Sequence, residues 1–202
     1  MNLFEITYPS GALDADERRA VADALLAGFL VEPDAPPEAV ERAARMTHVW
    51  FHEADTWVTG GGRPADPGRL PVVVTVTVPE AWREDLAPHA IGAVRSALAR
   101  HAPRVALHEE GAVWVDVVGI AEGSIGMDAR PSVSADIVRG LTRDVRIPAS
   151  APDSAFVDPV CGMTVRIGRG TPTLEHDGRT VAFCGSGCRA VYAEDHGLVL
   201  PA

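Results

Sequence analysis

Apolar and polar residues alternate from Leu3 to Tyr8, with Phe4, Ile6 and Tyr8 on one side and Glu5 and Thr7 on the other. This period of two predicts a half-buried strand, and Pro9-Ser10-Gly11 ends it. Next comes Asp14-Ala15-Asp16-Glu17, which offers a capping side chain and negative charge where a helix N-terminus needs both. Val21, Leu25, Leu26 and Phe29 recur at helical spacing and predict a helix to about Leu30 with that face buried. Pro33 to Pro37 reads as a loop, Glu38 to Met46 as a shorter helix, and His48 to Val58, rich in β-formers, as a strand. Gly60-Gly61-Gly62 closes the unit, and Arg63 to Leu70 reads as a linker.

The pattern then repeats. Val74, Val76, Val78 and Pro79 follow the order of Phe4, Ile6, Tyr8 and Pro9. A helix is predicted from Ala81 to Arg100, burying Leu86, Ile91, Val94 and Leu98, with Pro88 early enough to be tolerated. Val113-Trp114-Val115 stands where Val49-Trp50-Phe51 stood. The chain therefore reads as two tandem β-α-β units, residues 1–62 and 70–140, in an α+β domain that Val138 to Ile147 extends to residue 147. Residues 148–155, from Pro148-Ala149-Ser150 onward, read as a flexible tether to a small module at 156–202.

Leu3-Phe4-Glu5-Ile6, Trp57-Val58-Thr59-Gly60-Gly61 and Ile120-Ala121-Glu122-Gly123-Ser124-Ile125-Gly126, set in this repeat, resemble the tautomerase superfamily in its fused form, with two 4-oxalocrotonate tautomerase-like units in one chain. The resemblance covers about residues 1–140. It implies a four-stranded sheet backed by two helices and a homo-oligomer, commonly a trimer. It also implies a catalytic N-terminal proline, and here this chain departs from the family. Asn2 stands in that place, a methionine before so large a residue is expected to stay attached, and the nitrogen of Pro71 is locked in an internal amide. Any free amine would belong to Met1, a primary amine with a reference pKa of roughly 7.7–8.0. Proline-dependent tautomerase activity is not expected.

The remaining candidates for chemistry in this half are Asn2, His52 and Glu53, a histidine being able to act as a base near neutral pH. His48 and His52 project to one face of a strand but roughly 13 Å apart, which suits surface or interface histidines better than two ligands of one ion. Arg18, Arg19, Arg42 and Arg45 read either as a site for an acidic substrate or as a solvated helix face. Trp50, Trp57 and Trp114 read as core or subunit-interface anchors.

All three cysteines lie between residues 161 and 188. Thiolates are soft ligands that suit Cu(I), zinc or iron-sulfur centres. Cys184 and Cys188 flank three residues, and Gly185 and Gly187 are expected to let the backbone bend so that both sulfurs face one ion, with Cys161 arriving from a separate turn. Asp158-Pro159-Val160-Cys161-Gly162-Met163, a hairpin around His176-Asp177-Gly178, and Phe183-Cys184-x-x-x-Cys188 leading into a helix with Tyr192 together resemble the YHS domain, related to TRASH-type metal-binding domains, over about residues 156–200. Such domains occur in copper-transporting ATPases and other metal-handling proteins, and the resemblance implies that Cys161, Cys184 and Cys188 ligate metal. Cu(I) is satisfied by three thiolates, with Met163 offering a thioether. Structural zinc would need a fourth donor, with His176 or His196 available.

Net charge narrows the partners. At -10 the chain is ill suited to holding nucleic-acid phosphates, and every basic side chain is arginine. No basic stretch followed by an apolar run suggests a signal peptide, and Val72 to Val78 is too short to span a bilayer. An odd number of cysteines fits a disulfide framework poorly. These features point to a cytoplasmic metal-binding protein in copper handling, with a metal-transfer protein as a possible partner. The alternative is a divergent or metal-assisted enzyme on the tautomerase-like fold.

Overall fold

The alternating segments form one sheet. In a computed structural model, which describes residues 2–30, 34–60, 70–108, 111–151 and 155–200, β1 (Asn2–Pro9) runs parallel to β2 (Thr47–Ala54) and antiparallel to β3 (Val72–Pro79). With β4 (Val113–Ile120) the order is β2-β1-β3-β4. Each repeat contributes one central and one edge strand, and Phe4 lies opposite Val49 on one side and Val76 on the other. β2 ends at Ala54 rather than Val58 because its partner β1 ends at Pro9, the residue paired with Ala54. Met1, Pro33, Gly61-Gly62 with residues 63–69, and Pro152-Asp153-Ser154 of the tether lie outside the described residues.

The sequence then explains how helices cover one face of the sheet. In α1 (Ala15–Phe29), Asp14 accepts the Glu17 backbone N–H at 2.8 Å while Glu17 accepts that of Asp14 at 2.9 Å, a reciprocal cap that satisfies two otherwise free donors. Val21, Leu25 and Phe29 of α1 pack on Phe4, Ile6, Val74 and Val76, all buried. Burial of such a side chain stabilises by about 1.5–3 kcal/mol. After α2 (Pro37–Arg45) and a short 3-10 turn at Glu80–Trp82, α3 (Arg83–His101) carries Pro88 within it. Ile91, expected in the core, is 42% exposed. The buried stripe of α3 is Ala90, Ala93, Val94, Ala97 and Leu98, mostly small residues that let the helix approach the sheet closely.

The opposite face of the sheet is open. Trp50 and Trp114, at matching places on β2 and β4, are 44% and 60% exposed, so neither is a core anchor of this chain.

The chain divides into two compact units. The first comprises Met1–Val31, Met46–Val78 and Leu86–Gly119, and the second comprises Glu32–Arg45, Pro79–Asp85 and Ile120–Ala202. In the second, the hairpin β5 (Ile125–Met127) and β6 (Arg130–Ser132) leads to α4 (Ser134–Thr142). Two further antiparallel pairs follow, β7 (Phe156–Val157) with β8 (Thr164–Val165), and β9 (Thr173–His176) with β10 (Arg179–Ala182), before α5 (Ser186–Asp195). α4 and α5 pack together, and Arg139 clips them through Asp195 at 2.6 Å and Glu194 at 3.1 Å. Ala135 and Val138 of α4 join Cys161, Phe183, Cys188 and Val191 in a second core, with Trp82 and Tyr192 packed against it. No described helix is long and apolar enough to cross a membrane.

Candidate metal centre

Three backbone segments deliver the thiols. Cys161 sits in the turn between β7 and β8, Cys184 follows β10, and Cys188 lies in the first turn of α5. All three are free, Cys161 and Cys188 buried and Cys184 exposed. The Cys184 sulfur lies 3.5 Å from that of Cys161 and 3.6 Å from that of Cys188. A carboxylate oxygen of Asp158 completes a group of four donor atoms within 4.8 Å of one another, a group that can hold a metal ion.

The glycines serve differently from the expected bend. Gly185 is extended and Gly187 lies within α5. A side chain at Gly187 would place Cβ 2.8 Å from Nε1 of Trp82 and 3.1 Å from a Val138 methyl, so glycine is what lets the cysteine-bearing turn lie flat on Trp82 and α4. Asp85 caps the helix start, accepting from the Ser186 N–H at 3.2 Å and the Ser186 hydroxyl at 2.6 Å. Gly162, with φ of 78° and an added Cβ 3.2 Å from the Arg146 carbonyl, holds the turn after Cys161.

Proximity makes the thiols titrate unequally. Hydrogen bonds from the Cys184 and Cys188 thiols hold Cys161 well below the usual thiol range, so it carries the first negative charge. Hydrogen bonding to Cys161 pushes both Cys184 and Cys188 up, against a lowering by Cys188 at Cys184, and burial adds to the rise at Cys188. Burial also raises Asp158, with the charge on Cys161 acting in the same direction. In the metal-free cluster the first charge therefore falls on Cys161, and Cys184 and Cys188 hold their protons more tightly than isolated thiols.

The other candidates are placed as follows. Nδ1 of His176 is 2.8 Å from the Tyr192 hydroxyl, its ring centroid lies 4.8 Å from that of His196 at an interplanar angle of 57°, and neither histidine is in the four-donor group. Met163 packs on the second core, and its carbonyl accepts from the Asp158 N–H. Asn2 donates its side-chain amide to Thr47 Oγ1 at 3.3 Å and its backbone N–H to the Met46 carbonyl. His52 is on the open sheet face, 3.6 Å from Glu5. Glu53 sits on the opposite side of β2, bound by Arg18 at 2.8 Å, the Tyr8 hydroxyl at 3.3 Å and Ser10 at 3.2 Å. His52 and Glu53 thus form no dyad. Nor do the four arginines make one anion cradle, because Arg18 pairs with Glu53, Arg19 with Asp23 and Arg45 with Glu41, while Arg42 donates to the carbonyls of Leu141 and Arg143.

No protein-family model matches the chain. The crystal structure of Pt0534 inactivated by 2-oxo-3-pentynoate is similar over 66% of this chain and 98% of that one, with 16% identity and a TM-score of 0.50. That likeness is one of fold, the four-stranded sheet with its covering helices. A fused 4-OT described as an asymmetric trimer matches over 64% of this chain and 94% of its own at 18% identity, with a TM-score of 0.49. Separately, a copper-transporting P-type ATPase of Rhizobium leguminosarum bv. viciae is 46% identical over 43 residues. That match takes in 21% of this chain and only 5% of the ATPase.

Asp158 is the residue that sequence reasoning quoted without assigning a role. An Asp three residues before a Cys, within Asp-Pro-Val-Cys-Gly, is the available signal: such a side chain readily accepts N–H groups two and three residues on.

Proposed function

We propose that this chain binds Cu(I) through Cys161, Cys184 and Cys188 and serves copper handling (storage, buffering, delivery or sensing) in the cytoplasm, where a reducing environment keeps the thiols available. The observation that carries this reading is three free sulfurs from separate segments held 3.5 and 3.6 Å apart. Soft donors in that number satisfy Cu(I) unaided. The short likeness to a copper-transporting ATPase supports the same metal. The exposed Cys184 is the thiol through which an ion would pass to a protein partner. In this reading the sheet-and-helix unit is an oligomeric scaffold, a trimer, for which exposed Trp50, Trp114 and Val118 on one sheet face offer apolar surface for contacts between copies.

Metal content by mass spectrometry, on anaerobically purified protein, tests this directly. Near-stoichiometric copper is expected in the wild type and its loss in both Cys161→Ser and Cys184→Ser, with light scattering of the same samples giving the mass of three chains. Zinc alone, or copper that survives both substitutions, would overturn the copper reading, and a single-chain mass would remove the scaffold.

The unequal titration adds a second expectation. Binding as three thiolates requires Cys184 and Cys188 to give up the protons they hold tightly, so Cu(I) uptake near neutral pH releases about two protons and affinity rises with pH. Calorimetry in buffers of different ionisation enthalpy reads that number. Release of no protons would contradict the tight hold on protons at Cys184 and Cys188.

A further inference from the structure

Resting on the metal reading above, we propose that Asp158 is a positioning residue and not a fourth ligand: its carboxylate sets the sulfur geometry before metal arrives and leaves the ion with three protein donors. Asp158 is fully buried. Oδ1 accepts the Val160 N–H at 2.8 Å and the Cys161 N–H at 3.2 Å, which shapes the turn carrying Cys161. Oδ2 accepts the Cys184 N–H at 2.8 Å, from a segment 26 residues further on. The backbone of Asp158 closes the same turn, its N–H donating to the Met163 carbonyl at 2.9 Å and its carbonyl accepting from Gly162 at 2.8 Å. One buried carboxylate thus ties together the two segments that bear Cys161 and Cys184.

Its proximity to the sulfurs makes Asp158 look like a ligand. Its hydrogen bonds argue otherwise. Three of the four acceptor sites of the carboxylate are taken by N–H groups that have no other acceptor among the described residues, so rotating it to face an ion would weaken those bonds, and a buried unsatisfied donor is unfavourable. A fourth negative group on a monovalent ion already facing three thiolates gains little. The residue's part is to hold the backbone of two ligands in place, a role that typically affects metal affinity 10- to 100-fold.

The test uses the full-length protein, Asp158→Asn and Asp158→Glu, with Cu(I) as the probe. Asparagine keeps the shape but replaces one acceptor oxygen with a donor, so it cannot serve both segments. X-ray absorption at the copper edge is expected to show three sulfur neighbours and no oxygen in wild type and Asn variant alike. Competition with a Cu(I) chelator should give an affinity about 10- to 100-fold weaker in the Asn variant, with partial recovery in the Glu variant. In metal-free reduced protein, hydrogen exchange at the Cys184 or the Cys161 amide should quicken in the Asn variant. An oxygen neighbour in wild type that vanishes in the variant would make Asp158 a ligand, and unchanged affinity with unchanged exchange would leave it no positioning role. Should the Asn variant fail to fold, the wild-type spectrum alone decides the ligand question, and the Glu variant decides the positioning. A wild type that takes up no Cu(I) would instead refute the metal reading, and the metal-free exchange would still judge whether Asp158 holds the two segments.

Discussion

Phe183→Ala is expected to cost the second unit about 3–5 kcal/mol of stability and to be largely rescued by Cu(I). Phe183 is fully buried, its ring meets Tyr192 at a centroid separation of 5.3 Å, and the next residue is Cys184. Phe183 is the largest of the buried side chains in that core, the others being alanine, valine and cysteine, so truncation leaves a cavity at its centre. Against a typical domain stability of about 5–15 kcal/mol, the loss lowers the melting temperature strongly in metal-free protein. An ion that binds only the folded cluster adds about 4 kcal/mol at a thousandfold excess over its dissociation constant, which is of the same size. Calorimetry of wild type and variant, with and without Cu(I), reads both effects. A variant melting within a degree or two of wild type would show that the ring is not holding the unit together. Absence of any metal-induced rise in either protein would show that the cluster does not grip copper in the folded state.

Gly187→Ala is expected to cost about 1–3 kcal/mol through overpacking and to weaken Cu(I) binding at the same time. The added methyl meets Trp82 Nε1 and Val138 together, and relief requires moving the first turn of α5, which carries Cys188. Trp82 offers a way to check the cause. Its indole N–H is buried without a hydrogen-bond partner among the described residues, so Trp82→Phe sacrifices no hydrogen bond and opens space where the methyl points. The double variant should recover part of both losses, a coupling that urea denaturation and chelator competition on the four proteins measure. If Gly187→Ala matches wild type in both, the close approach at Trp82 is not what requires glycine.

The sheet was legible because its information is local: Val72 to Val78 and Leu3 to Tyr8 each show on which side every residue falls, and the repeat shows that the two segments do the same work. The thiols were legible because soft donors are rare and their spacing is short. Asp158 was harder, since its chief bond runs to the backbone of Cys184, and nothing in the residue types near either position records a partner 26 residues away. The same holds for Trp82 against Gly187 and for Asp85 capping Ser186 across 101 residues. Ile91 misled for another reason. Helical spacing marks an apolar stripe, but alanines define the stripe in α3, and a scan for large side chains overlooks them.

The second core also bears on how such a protein can be rebuilt. Trp82 belongs to the connection between β3 and α3, and Ala135 and Val138 to α4, yet all three are covered by residues from Cys161 onward. Read along the gene, the cysteine module looks like a cassette that could be cut off or transplanted at its N-terminal edge. In space its cover is shared: excising it would strip an indole and a helix face of their apolar neighbours, and grafting it elsewhere would require a recipient that supplies its own counterpart to Trp82 and Asp85.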